Sequence, residues 1–189
     1  MSNKTKINAV YRILSSTYTT FDKTDDPWMT NGLSSTPFRS IVSGSLSTMT
    51  TTKRVVAACV PLFKKVSTFE ELYALDDEEL RSIIKPVAHY NKKTKSLKEM
   101  CRQIIEDFDG QLPNTKEDLL KLQGVGLKVA SLIMNFIFEE PLIAVDTHIF
   151  RVSNRTKIAP GKDVVAAEKG LEKFVADEFK LDVHHWLIL

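Results

Sequence analysis

Lys128 is the first residue whose type and position could do chemistry. It follows Gly124 and Gly126 in the stretch LQGVGLKVAS, residues 122–131, where an apolar helix is about to begin. An amine with a reference pKa of about 10.4 is mostly protonated at neutral pH and cannot attack an electrophile. A helix N-terminus and partial burial both disfavour the charged form. Two interpretations stay open: Lys128 is a solvated or phosphate-contacting lysine, or it is an amine nucleophile.

The turn before Lys128 indicates an anion site. A Gly-Val-Gly turn leaves backbone N–H groups exposed at a helix N-terminus, where the helix dipole favours negative charge. We expect Gly124 and Gly126 to let a phosphate approach the backbone, and the apolar Val125 to pin the turn to the core. A plain helix–helix connection is the alternative. The full pattern Leu-x-Gly-Val-Gly-x-Lys favours a helix-hairpin-helix that grips a DNA phosphate without reading bases.

Asp146 is the second candidate for chemistry. It follows Lys128 by one helix and an apolar connector, and it opens the segment DTHIFRVSNR. Aspartate at a helix start is commonly an N-cap. The functional hypothesis is that Asp146 also faces Lys128, because a carboxylate beside a lysine can stabilise a cationic sugar transition state and orient proton transfers.

The elements that must position these residues are predicted to be helices. No sustained two-residue alternation occurs, and after the glycines the apolar residues fall at helical spacing, which predicts a core-facing stripe. Local signals mark several helix ends. They are an N-cap at Thr36 followed by Pro37, a bend or interruption near Pro61, a capping box at Thr68 and Glu71, and a helix end at Gly110. The sequence therefore predicts an all-α fold.

Composition limits the class of protein. The 189 residues, 43% hydrophobic, suffice for one domain or two small lobes. The sequence contains no run of about 18 apolar residues, the length needed to span a membrane. The formal net charge is only +2, so a nucleic acid would have to be bound by local patches. Cys59 and Cys101 have no metal-site spacing, which favours buried thiols in a reducing compartment. Without a signal-peptide pattern, we expect an intracellular protein that is not secreted.

Four segments together carry a family resemblance. LQGVGLKVASLIMNF, PLIAVDTHIFRVSNRT, APGK and EFKLDVHHWLIL resemble endonuclease III, in the helix-hairpin-helix DNA glycosylase superfamily. The resemblance is dense from about Leu119 to Leu189 and weaker but collinear from about Thr36 to Pro113. It implies two helical lobes with the active site in the cleft between them. One lobe would be residues 32–141, with the hairpin at about 115–138, and the other residues 1–31 plus 142–189.

The resemblance also implies an activity. The family removes oxidised pyrimidines from DNA and then nicks the strand. Lys128 would attack C1′ of a flipped nucleotide and form a Schiff base that undergoes β-elimination, with Asp146 as the essential carboxylate. Related adenine-removing enzymes carry another residue at the lysine position, so Lys128 favours the strand-nicking type. The implied partner is double-stranded DNA with a damaged base or an abasic (AP) site, bound by a monomer in the cytoplasm or nucleoid.

Three residues depart from the family pattern. Met49 replaces a glutamine that fills the hole left by the flipped base, Thr52 replaces an aspartate in the same loop, and His89 replaces a leucine wedge. We expect Met49 and His89 to contact DNA, although His89 is equally explained as a surface histidine. A lysine cluster around His89 could follow the DNA backbone or simply be solvated. It comprises Lys85, Lys92, Lys93, Lys95 and Lys98.

The C-terminal end is the largest departure. The family continues past HHWLIL into a loop of four cysteines that hold a four-iron four-sulfur cluster, whereas this sequence ends at Leu189. Cys59 and Cys101 cannot replace those ligands, so we expect no cofactor and no metal in this chain. Either the sequence is truncated or this member lacks the cluster.

Two other functions remain as alternatives to the glycosylase. A catalytically impaired helix-hairpin-helix protein that recognises damaged or abasic DNA would bind such DNA tightly without nicking it. Met49 and the missing cluster loop motivate this alternative. A helical protein-interaction domain would show no DNA affinity even at low salt.

Overall fold

A computed structural model describes residues 3–18 and 27–187 of the chain. Within these ranges the regular structure is entirely helical, which confirms the predicted all-α class. The helices are α1 (Asn3–Thr17), α2 (Pro27–Thr30), α3 (Pro37–Ser47), α4 (Thr52–Lys65), α5 (Phe69–Ala74), α6 (Asp77–Ile83), α7 (Tyr90–Asp107), α8 (Lys116–Leu119), α9 (Leu127–Phe136), α10 (Thr147–Thr156), α11 (Val164–Phe174) and α12 (Asp177–Trp186).

The predicted helix ends are confirmed by their hydrogen bonds. Thr36 Oγ1 accepts the N–H of Arg39 at 3.1 Å, and Pro37 is the first residue of α3. Thr68 Oγ1 likewise accepts the N–H of Glu71 at 3.2 Å at the start of α5. After α7, Gly110 adopts a φ of 73° and its N–H donates to the Ile104 carbonyl at 3.0 Å. Short-range capping chemistry thus sets these boundaries.

The capping box at α5 is displaced by one residue. The Glu71 carboxylate accepts the Ser67 N–H at 2.6 Å and the Ser67 hydroxyl at 3.0 Å. These two hydrogen bonds lower the pKa of the Glu71 carboxyl. The reciprocal contact of the box therefore reaches back to the residue before the N-cap Thr68.

Of the bend or interruption predicted near Pro61, the interruption is wrong, and the bend stays a prediction. Helix α4 runs continuously through Pro61 from Thr52 to Lys65. Proline removes one helical hydrogen bond, but packing of an apolar face can offset that loss. The residues of α4 that are buried are Val55, Ala58, Cys59, Leu62 and Phe63.

The chain folds as two compact units. Among the described residues, one unit is 27–133 and the other is 3–18 with 134–187. Residues 27–30 join the first unit because α2 packs against α4. The boundary between residues 133 and 134 falls inside α9. The predicted lobes, residues 32–141 and residues 1–31 with 142–189, stay a prediction.

Each unit has its own apolar core. In the unit of residues 27–133, the fully buried side chains include Ile41, Leu46, Leu62, Leu97, Met100 and Leu119. In the other unit, Tyr11 of α1 stacks on Phe179 and contacts Trp186 in α12, with ring centroids 6.2 and 6.4 Å apart. Ile143, Val145 and Ile149 complete that cluster. Across residues 3–18 and 27–187, no helix is long and apolar enough to cross a membrane.

Candidate functional site

The turn between α8 and α9 has the predicted hairpin form. The Val125 N–H donates to the Leu122 carbonyl at 3.1 Å, which closes the turn. The Gly126 carbonyl accepts the Ala130 N–H at 2.9 Å, so Gly126 is the N-cap of α9. Val125 is only 7% exposed and anchors the turn in the core, as expected. Helix α9 therefore begins directly after the turn, with the positive end of its dipole at Gly126.

The two glycines do different things. Gly124 adopts a φ of +86°, a backbone conformation that favours glycine, and a Cβ there would make a tight contact, 3.2 Å from the Ser96 Cβ. Gly126 lies outside the left-handed region, and a Cβ there would meet nothing within 4 Å. Of these two positions, only 124 therefore favours glycine for the fold. At 126, the missing side chain leaves open space beside the N-terminus of α9.

Gln103 holds this turn from α7, a role that the sequence did not reveal. Its Oε1 accepts the Gln123 N–H at 2.7 Å, and its Nε2 donates to the Lys121 carbonyl at 3.3 Å. Both halves of the amide are thus used on backbone groups of the turn. A glutamine inside a polar stretch of an amphipathic helix gives no sequence signal for such a contact.

Lys128 is the second residue of α9, and its side chain is exposed. Two features were considered for Lys128, partial burial and a position near a helix N-terminus. The structure shows the second and not the first. A cation in the first turn opposes the helix dipole, so helix stability does not explain this lysine. Lys128 belongs to the unit of residues 27–133.

Asp146 is the N-cap of α10, as the structural interpretation of this residue predicted. Its Oδ1 accepts the N–H groups of His148 and Ile149, both at 2.9 Å. The side chain is half-buried, and it belongs to the unit that contains residues 134–187. The two backbone donors fix the orientation of the carboxylate. Its pairing with Lys128 in a cleft stays a prediction.

Three predicted DNA-binding residues line one cavity within the unit of residues 27–133. The cavity has a volume of about 280 Å³ and contains Met49, His89 and Gly124 in its wall. Leu46 and Leu97 provide apolar surface, and Lys92 and Lys93 provide positive charge. Three sequence-distant segments therefore meet at one place: the end of α3, the start of α7 and the hairpin turn.

Met49 and His89 share an unusual backbone. Their φ angles are 55° and 57°, in the left-handed region that side chains other than glycine rarely adopt. Such a conformation costs about 1–3 kcal/mol and persists where the surroundings enforce it, often at binding sites. Met49 is also 79% exposed, a large apolar side chain held out in solvent. These features support the prediction that both residues contact a ligand.

The lysine cluster around His89 is not one uniform DNA-tracking surface. Lys93 Nζ donates to the carbonyls of Leu46 and Thr48 at 2.8 and 2.6 Å. Lys98 Nζ donates to the Tyr73 carbonyl at 2.6 Å and to the Leu75 carbonyl. These two lysines bind the protein's own backbone, which corrects their grouping with the rest of the cluster. Lys85, Lys92 and Lys95 are exposed.

The described residues do not fit an iron–sulfur cluster. Cys59 and Cys101 are buried in α4 and α7, and burial raises the pKa of each thiol to about 12. Within 3–18 and 27–187, no group of three His, Cys, Asp or Glu side chains could hold a metal ion. A four-cysteine ligand set cannot be built from these residues. That this chain carries no cofactor stays a prediction.

Comparison with known proteins identifies the family. The sequence model of the family described as HhH-GPD superfamily base excision DNA repair protein matches residues 42–177. Endonuclease III of Haemophilus influenzae is 45% identical over 153 residues, which cover 81% of this chain and 72% of that protein. Endonuclease III of Escherichia coli K12 is 41% identical over 155 residues, covering 82% and 74%.

The solved structures that match this chain include endonuclease III bound to DNA. A trapped endonuclease III–DNA covalent intermediate, an estranged-adenine complex, matches with a TM-score of 0.86 at 28% identity. The match covers all of this chain and 85% of that one, and a non-covalent endonuclease III–DNA complex matches equally well. The resemblance inferred from sequence motifs is thus confirmed. The chain belongs to the HhH-GPD superfamily of base excision DNA repair proteins.

Proposed function

We propose that this protein is a bifunctional base-excision-repair enzyme: a DNA glycosylase and AP lyase that removes oxidised pyrimidines from double-stranded DNA. The observation that carries the proposal is the placement of Lys128. It lies in the first turn of α9, directly after the glycine turn, in a chain 41–45% identical to endonuclease III over four-fifths of its length. We further propose that the protein acts as a monomer inside the cell.

Lys128 supplies the nucleophile in this proposal. Its neutral amine forms a bond to C1′ of the damaged nucleotide as the bond from C1′ to the base breaks, and the base leaves with a proton. Loss of the amine proton and opening of the sugar ring give a Schiff base. Removal of a proton from C2′ then expels the 3′ phosphate oxygen, which nicks the strand. Water finally hydrolyses the Schiff base and releases Lys128. The nucleotide must be flipped out of the helix, because C1′ of a stacked nucleotide is sterically blocked.

Asp146 supplies negative charge beside the reacting sugar. Breaking the bond to the base develops positive charge on the sugar, and a fixed carboxylate stabilises that charge without reorganising. The N–H groups of His148 and Ile149 hold the carboxylate in one orientation. The same carboxylate can also orient the proton transfers around the amine.

The hairpin turn holds the DNA strand. Open space at Gly126 lets a phosphate reach the N-terminus of α9, where N–H groups and the helix dipole favour an anion. A contact of this kind positions the strand without reading its sequence. Met49 and His89, with the cavity between them, then contact the duplex where the nucleotide has left it.

Substitutions at Gly126 should separate DNA binding from stability. Asn and Asp are both good N-caps, so Gly126→Asn and Gly126→Asp should leave the thermal midpoint of unfolding nearly unchanged. The added carboxylate repels a phosphate, so Gly126→Asp should weaken binding to abasic-site DNA by about tenfold or more, with the neutral Gly126→Asn less affected. Fluorescence anisotropy measures the affinity. Equal affinities for the wild type and the aspartate variant would contradict a phosphate contact at this turn.

Strand nicking tests the proposed function directly. The wild-type protein is incubated with a duplex that contains one oxidised pyrimidine, and with the undamaged duplex as control. We expect base removal and a nick at the lesion, without added alkali, and no reaction with the control. Base removal without nicking would contradict the lyase step. Tight binding to abasic DNA with no reaction at long incubation would instead support an impaired DNA-binding protein.

A further inference from the structure

Two loops of the unit 27–133 each carry one of the left-handed residues. We define the Met49 loop as residues 48–51, between α3 and α4, and the His89 loop as residues 84–89, between α6 and α7. The φ angles of 55° and 57° mean that each loop must be held by its surroundings. Hydrogen bonds donated by Lys93 and accepted by Thr50 connect the Met49 loop to the His89 loop and to the start of α7.

Lys93, in the first turn of α7, donates hydrogen bonds from its ammonium group to the Met49 loop and to the end of α3. An ammonium has three N–H donors, and here three acceptors lie within reach. They are the Leu46 carbonyl at 2.8 Å, the Thr48 carbonyl at 2.6 Å and Thr50 Oγ1 at 3.1 Å. The positive charge also lies at the C-terminal end of α3, where the helix dipole is negative. Burial lowers the pKa of this ammonium.

The Thr50 hydroxyl joins the second loop to this arrangement. It accepts from Lys93 Nζ and from the Ala88 N–H, both at 3.1 Å, and donates to the Thr48 carbonyl at 3.3 Å. A hydroxyl has one donor and two acceptor positions, so all three are used. Ala88 immediately precedes His89, and Thr50 immediately follows Met49. One oxygen atom thus fixes the residues next to both left-handed positions.

We propose that Lys93, acting through the Thr50 hydroxyl, is a positioning residue that holds Met49 and His89 in the arrangement needed to enter a damaged duplex. This inference rests on the proposed function. Both loops line the 280 Å³ cavity, and Lys93 itself forms part of the wall. Losing the connection frees the two loops to move independently. Base extrusion from a duplex then slows, whereas chemistry at an abasic site, where no base has to be extruded, is much less affected.

Lys98 offers a matched control on the same helix. It also donates to backbone carbonyls, those of Tyr73 and Leu75 at the end of α5, and its Nζ lies 5.8 Å from the centroid of the Tyr73 ring. It is not part of the cavity wall. If Lys93 has only a structural role, Lys93→Met and Lys98→Met should have the same kind of effect. A positioning role predicts that they differ in activity on the duplex.

The test compares two rates for each variant under single-turnover conditions. The first is base removal from a duplex with one oxidised pyrimidine, and the second is nicking of the same duplex with a preformed abasic site. The ratio of the first to the second should fall about tenfold for Lys93→Met, as expected for lost hydrogen bonds to a charged group. It should stay within about twofold of the wild-type ratio for Lys98→Met, which leaves the cavity intact.

Thr50 gives a second, gentler pair of variants. Thr50→Val removes the hydroxyl and keeps the side-chain shape, and should lower the same ratio, whereas Thr50→Ser keeps the hydroxyl and should not. This pair decides the question if Lys93→Met does not fold. Combining Lys93→Met with Thr50→Val should add little to the larger single effect, because both break one connection.

The possible failures can be told apart. A wild-type ratio retained in Lys93→Met and Thr50→Val would overturn the positioning role while leaving the proposed function intact. A ratio that falls equally in Lys98→Met would also overturn it, since general destabilisation would then explain the loss. A wild-type protein that removes no base from the damaged duplex contradicts the proposed function, and the positioning role falls with it.

Discussion

Replacing Lys128 with alanine is expected to abolish base removal and strand nicking together. Because the amine forms the covalent bond in both steps, the single-turnover rate should fall on the order of 10⁴-fold or more. The lysine is exposed, outside the apolar core, so the variant should stay folded at the assay temperature and the lost rate then reflects the missing amine. Gel assays on the oxidised-pyrimidine duplex measure the rate, and calorimetry checks that the variant is folded.

Lys128→Arg is the matched control for charge. Arginine keeps a cation at this position for any phosphate contact, but its guanidinium does not lose a proton in proteins and cannot act as the nucleophile. We therefore expect near wild-type affinity for abasic DNA and no nicking. If Lys128→Arg instead retains nicking, the lysine acts as a DNA contact and another group supplies the nucleophile.

Replacing Asp146 with asparagine is expected to remove activity while keeping the fold. Asparagine is as good an N-cap as aspartate, so the N–H groups of His148 and Ile149 keep their acceptor. The variant loses the negative charge that we propose stabilises the reacting sugar. A positioned acid–base group contributes about 10²- to 10⁴-fold, and the rate of base removal should fall within that range.

Asp146→Ala separates the two roles of this carboxylate. It loses both the cap and the charge, so its stability should fall by about 1 kcal/mol, measured by denaturant unfolding. Its activity should match that of the asparagine variant. An asparagine variant with wild-type activity would mean that Asp146 is an N-cap and nothing more.

The features of this fold that could be predicted from the sequence are local ones. Thr36–Pro37, Thr68 and Gly110 specify helix ends within a few residues, and each makes a hydrogen bond at its helix end. The hairpin is equally local, because the turn, its glycines and the buried Val125 lie within one short segment. Pro61 does not interrupt α4, since the effect of a proline inside a helix depends also on how that helix packs.

The features that could not be predicted join distant segments. Lys93 looked like one more member of a charged run, yet its partners Leu46, Thr48 and Thr50 lie at the end of α3 and in the Met49 loop. Gln103 likewise meets the hairpin only because α7 passes beside it. Spacing rules within one helix carry no information about such contacts, nor about the left-handed φ angles of Met49 and His89.

Met49 shows how a departure from the family pattern fits this arrangement. A thioether side chain is flexible and apolar, so it can fill irregular space left by a flipped nucleotide, but it cannot form the hydrogen bonds of the expected glutamine. The backbone that presents it is nevertheless fixed, through Thr50 and Lys93. In the binding mode that we propose, void filling therefore depends on the shape of Met49 and on the position of its loop, without the amide hydrogen bonds of a glutamine.

Borohydride trapping tests the central claim most directly. The wild-type protein is mixed with the oxidised-pyrimidine duplex in the presence of sodium borohydride, which reduces a Schiff base to a stable amine. The covalent adduct is then digested and mapped by mass spectrometry. We predict one DNA-modified peptide, with the modification on Lys128. An adduct on another lysine, or efficient nicking with no adduct at all, would contradict the assignment of Lys128 as the nucleophile.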